Sequence, residues 1–62
     1  MTPDQIKEGK SYIGKNGAIY EVLYIQNEKG RTMVRFVKHG PEGGNGKWTM
    51  KDFIAQIREE VK

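Results

Sequence analysis

Few side chains in these 62 residues could act on a substrate. There is no cysteine, the single histidine is His39, and the only serine is Ser11, so a nucleophile–base–acid arrangement would need Ser11, His39 and a carboxylate to meet in space. One imidazole without a thiolate or a spaced carboxylate cluster does not complete a tetrahedral metal site. Glu59 and Glu60, adjacent in a segment that reads as helix, diverge by about 100°, the wrong geometry for a cooperating acid/base pair. Residue types therefore predict a protein that is not an enzyme and has no cofactor or metal.

The glycines invite comparison with phosphate cradles. Gly40-Pro41-Glu42-Gly43-Gly44-Asn45-Gly46 leads through Lys47 toward a helix start, and such a loop can present amides and an ammonium to an anion. The motifs fail on inspection. Pro41 stands where a P-loop needs its first glycine and Trp48 follows the lysine, while Gly44-x-Gly46 is followed by Thr49 where a dinucleotide fingerprint needs glycine. The stretch reads as a flexible connection, too rich in glycine to sustain a strand.

Charge and aromatics point further. The formal charge is +3, and from Lys29 to Lys51 six basic residues stand against the single acid Glu42, a local +5. Small antiparallel sheets can present aromatics for base stacking amid basic side chains. Here Tyr12, Tyr20, Tyr24, Phe36 and Trp48 interleave with Lys10, Lys15, Arg31, Arg35, Lys38 and Lys47. The leading expectation is a binding module for nucleic acid or another anionic surface, with Arg31, Arg35, Lys38 and Lys47 as its contacts. Strand alternation gives Arg31 and Arg35 one face and Lys38 the other. The second reading is a protein-interaction module, an accessory or inhibitor protein using a strand edge or the aromatic positions.

These residues must be positioned by a small fold. A chain of this length makes one domain, residues 1–62, and buries only roughly 60% of the surface that its unfolded form exposes. Thr2-Pro3-Asp4-Gln5 has the form of a helix start, Gly9 ends it, and Ile6 is its one apolar anchor, which predicts a single turn or short 3₁₀ segment. Strands are expected over Lys10–Ile13, Ala18–Gln26 and Arg31–His39, joined by Asn16-Gly17 and by Asn27-Glu28-Lys29-Gly30. The second is apolar on both faces, with Tyr20, Val22 and Tyr24 against Ile19, Leu23 and Ile25, so it needs cover on both sides or must curl. Lys47-Trp48 is expected to pair briefly as a last strand. Trp48 to Val61 then reads as one amphipathic helix, capped by Thr49, stapled by Trp48 on Phe53, and striped by Met50, Phe53, Ile54, Ile57 and Val61. That stripe is expected to cover Tyr20, Val22, Leu23, Val34 and Phe36.

The succession of a Gly-ended turn, Lys10-x-Tyr12, Asn16-Gly17, Tyr20-x-Val22, Val34-x-Phe36 and a terminal helix near Met50-x-x-Phe53 resembles short SH3-like barrel proteins of the phage and prophage type. The likeness spans about Gly9 to Ile57 and carries no functional residue with it. It implies an α+β domain: a bent antiparallel sheet of three or four strands, SH3-like, with the C-terminal amphipathic helix packed on its open side. No apolar run approaches the roughly 18 residues of a membrane-spanning helix, and Met1-Thr2-Pro3-Asp4 lacks the start of a signal peptide. A cytoplasmic protein without membrane association is expected.

Overall fold

Two glycine-bearing turns set the register of the sheet. In the computed structural model, which describes residues 1–61, Asn16 Oδ1 accepts from the Ala18 amide at 3.0 Å, and Gly17, at φ +86°, donates to Gly14 O at 2.9 Å. Across this turn β1 (Ser11–Gly14) pairs with β2 (Ile19–Glu28), Ile13 opposite Ile19. The second turn is tighter than Asn27–Gly30 suggested. Lys29 and Gly30 take φ 52° and 80°, the paired positive values of a two-residue hairpin whose twist matches its strands, and β3 (Arg31–His39) starts with Arg31 opposite Glu28.

Two expectations need correction after β3. Gly44-Asn45-Gly46 is not loop but the first half of β4 (Gly44–Thr49), paired with β3 so that Gly46 lies opposite Phe36. The Phe36 ring lies over Gly46 so closely that a Cβ there would sit 2.6 Å from its Cζ. Glycine is in the strand because a ring occupies the space of its side chain. The second correction concerns the helix, which is α1 (Met50–Gln56), seven residues and not the whole of Trp48–Val61. Ile57–Glu60 is a fifth strand, β5, antiparallel to β1, and the sheet order is β4-β3-β2-β1-β5.

The residues after α1 leave the helical period and pair with the edge of β1 that β2 does not use. With β2 on one side only, the other edge of β1 would leave its backbone groups unpaired. β5 fills that edge, and Lys15 N–H to Gln56 O (2.8 Å) and Val61 N–H to Ser11 O (2.9 Å) close the ladder at its two ends. Ile57 is buried from the strand, but Val61 is left exposed and contributes nothing to a stripe. Thr49 caps α1 as expected, accepting from the Asp52 amide at 3.1 Å, and Trp48 packs on Phe53 with centroids 6.1 Å apart.

One face of the curved sheet carries the core. Tyr12, Tyr20, Val22, Val34 and Phe36 point into it, and Phe53 of α1, Ile57 of β5 and Ile6 close it. The short 3₁₀ turn Pro3–Gln5 is held by Ile6, as read from the sequence, and also by Tyr12. The buried Tyr12 hydroxyl accepts from Lys7 N–H and donates to Gln5 O, each at 2.8 Å, which satisfies the hydroxyl while tying the N-terminal segment to β1. No helix among the described residues is long and apolar enough to cross a membrane.

Candidate nucleic-acid interface

The apolar run in β2 is resolved by a bulge. Val22 lies opposite Phe36 and Tyr24 opposite Arg35, so Leu23 is an extra residue with no partner. Before it Tyr20 and Val22 face the core; after it Ile25, opposite Val34, takes the inward place. Leu23 and Tyr24 are turned outward, each 43% exposed. The strand meets the core along part of its length and shows its other apolar residues to the opposite face. Beyond the reach of β1, the Ile25 amide donates to Glu8 Oε2 at 2.8 Å, so a carboxylate takes the place of the missing strand.

This bulge sets the geometry of the outer face of the sheet. Directly paired residues share a face, so Tyr24, Arg35 and Lys47 form one row across β2, β3 and β4. Gln26, Met33 and Thr49 make the row on one side, and Glu21, Val37 and Asn45 the row on the other. Arg31 lies on the same side of β3 as Arg35, about 13 Å along the strand. Of the four cations expected to act together, the fold therefore gathers Arg35 and Lys47 as neighbours, with Arg31 further along.

Lys38 is elsewhere. It shares parity with Val34 and Phe36 and lies opposite Tyr20 and Gly44, at the mouth of an open cleft between the Asn16–Ile19 turn and the Lys38–Gly43 connection. The four residues do not make one site, for the alternation reason that the sequence already contained. The aromatics separate as well. Tyr12, Tyr20 and Phe36 are buried, and Trp48 is half-buried with its ring 4.4 Å from that of Phe36, which leaves Tyr24 as the one of the five on the outer face. Sequence reasoning counted Tyr24 among equals. The signal that would have singled it out is the unbroken apolar run Val22–Ile25, which an alternating strand cannot bury.

The carboxylates near the row have partners. Glu28 pairs with Lys47 at 3.0 Å, and Glu21 with His39 at 3.0 Å. Among the described residues neither Arg31 nor Arg35 forms an ion pair. Arg35 and Lys47 are like charges placed directly opposite each other, an arrangement that weakens a strand pair and that the Glu28 carboxylate on Lys47 offsets in part. Nor, among the described residues, do His, Asp and Glu side chains gather in threes as a metal site requires. The chain matches no family model, no curated protein and no solved structure.

Proposed function

We propose that this protein is a non-enzymatic binding module whose ligand is nucleic acid, engaged through phosphates by Arg31, Arg35 and Lys47 on the outer face of the sheet. The apposition of Arg35 and Lys47, with Arg35 in no ion pair among the described residues, is the observation that carries this reading. Lys38, on the other face, is outside the interface and contributes only to the long-range field. The SH3-like assignment is part of this reading and draws on the five-stranded antiparallel sheet, while α1, at seven residues, is longer than the single 3₁₀ turn usual in such barrels. A cytoplasmic setting agrees with a ligand of this kind.

Titration of the wild type and the Arg31→Gln/Arg35→Gln double variant against mixed single- and double-stranded oligonucleotides at several salt concentrations tests the proposal. Each phosphate contact contributes about 0.7 to the logarithmic salt slope on single strands and about 0.9 on duplex, so removing two should flatten it by about 1.4 or 1.8. No association at low salt and high micromolar protein would refute it. Protein binding is the second reading. It is favoured by the position of β4 at one end of the sheet, where its outer backbone groups pair with no strand among the described residues.

A further inference from the structure

We infer that Tyr24 is a base-stacking residue and that the ligand of this face is single-stranded nucleic acid. The inference rests on the phosphate-binding reading and adds to it the form of the polynucleotide. By strand parity Tyr24 belongs with Tyr20 and Val22 in the core; the bulge at Leu23 removes it from there and sets it beside Arg35. Bulges are a means of re-aiming a side chain, and next to this one the Glu8 carboxylate accepts from the Ile25 amide. The outcome is an aromatic ring 43% exposed, with Leu23 equally exposed next to it and a guanidinium and an ammonium in the same row. A solvated phosphate site has no use for two exposed apolar residues.

Unstacked bases do. Aromatic rings receive splayed bases while adjacent cations hold the backbone, and the π-face makes such contacts tolerant of sequence. A duplex offers the Tyr24 ring no open π-face, because its bases are already stacked on one another. Among the described residues the outer face presents strands alone, since α1 and the N-terminal turn both lie against the core side. Charge complementarity comes from Arg31, Arg35 and Lys47. The occupant is thus a flexible polyanion with accessible bases, which a single strand provides.

The test measures binding of a short oligodeoxythymidine, a short oligouridine and a blunt duplex to the wild type and to Tyr24→Ala, Tyr24→Leu and Tyr24→Phe. Single strands should bind the wild type more tightly than duplex. The alanine and leucine variants should lose at least about fivefold on single strands and little on duplex, whereas the phenylalanine variant keeps the wild-type affinity. Leucine preserves apolar bulk without a π-face, so it separates stacking from packing even if alanine disturbs the strand. In NMR spectra the Tyr24 ring protons should move upfield on addition of the oligonucleotide. Equal affinity for duplex, or unchanged binding by the leucine and alanine variants, would overturn the stacking inference and leave the phosphate reading standing. Failure of the wild type to bind any of the three would overturn both.

Discussion

Replacing Phe53 by alanine should unfold much of the population. The side chain has no solvent exposure, and its ring lies 5.8 Å from Tyr12, 5.9 Å from Phe36, 6.1 Å from Trp48 and 6.3 Å from Tyr20. Truncating a core phenylalanine costs about 3–5 kcal/mol, and loss of several aromatic pairs favours the upper part of that range. A chain of 62 residues at 0.05–0.15 kcal/mol per residue has only about 3–9 kcal/mol in total. With a urea m-value of about 1 kcal/mol/M, the midpoint should fall by about 3–5 M, or the variant should be unfolded in buffer. Trp48 is the single tryptophan and reports on the same cluster; because the substitution removes one of its neighbours, far-UV circular dichroism should be followed in parallel. Val61→Ala is the matched control. A helix running to Val61 would make that residue part of the stripe, whereas an exposed residue after β5 should change stability by less than about 0.5 kcal/mol. A Phe53→Ala midpoint within about 1 M of the wild type, or a comparable loss in Val61→Ala, would refute the reasoning.

Two glycines of β4 should respond differently to the same substitution. Gly46→Ala drives a Cβ into the Phe36 ring and should lower the urea midpoint measurably, while Gly44→Ala, with nothing within 4 Å, should leave it nearly unchanged; equal effects would mean that the ring does not lie over Gly46. Tyr12→Phe removes a hydroxyl that serves both Lys7 N–H and Gln5 O, and should cost about 1–3 kcal/mol and loosen residues 2–7 in hydrogen exchange. Glu8→Ala should speed amide exchange at Ile25 more than at its paired neighbours, since Glu8 is the acceptor for that amide; unchanged exchange would show that the carboxylate does not hold that amide.

The parts of this fold that were legible in sequence are those governed by local rules. Asn16-Gly17 marks the first hairpin, with Gly17 at positive φ, Gly30 ends the second, Thr49 supplies a cap, and Arg31–His39 alternates as a half-buried strand should; the second turn lies within the expected Asn27–Gly30 but takes only Lys29 and Gly30. What was misread depends on partners distant in the chain. Ile57–Glu60 has a helix-compatible spacing, because Ile57 is buried in either conformation, and nothing local says that the free edge of β1 will take it. Gly44–Gly46 looks unable to form a strand until the Phe36 ring is seen to fill the space above it. Of the candidate site, the alternation of β3 correctly divided Arg31 and Arg35 from Lys38. The place of Lys47 beside Arg35 depended on the pairing of β4, which has no local code, and that of Tyr24 on a bulge whose one local sign is the apolar run Val22–Ile25.

The electrostatics of the outer face bear on the strength of any binding. Its cations Arg31, Arg35 and Lys47 share it with Glu21 and Glu28, so the face is only mildly positive and a strong attractive field is not available. The Lys47–Glu28 pair joins side chains 39% and 34% exposed, and a pair so open to solvent stabilises by at most about 1 kcal/mol. A phosphate approaching Arg35 can therefore draw Lys47 from Glu28 at small cost, after which Glu28 can turn toward Arg31, its cross-strand partner. In the proposed binding mode the carboxylate, which pairs with Lys47, would compete with a phosphate for that cation and lower affinity without abolishing it. Binding by this face should accordingly be weak, readily reversed by salt, and more dependent on the contact at Tyr24 than on the number of basic residues in the chain.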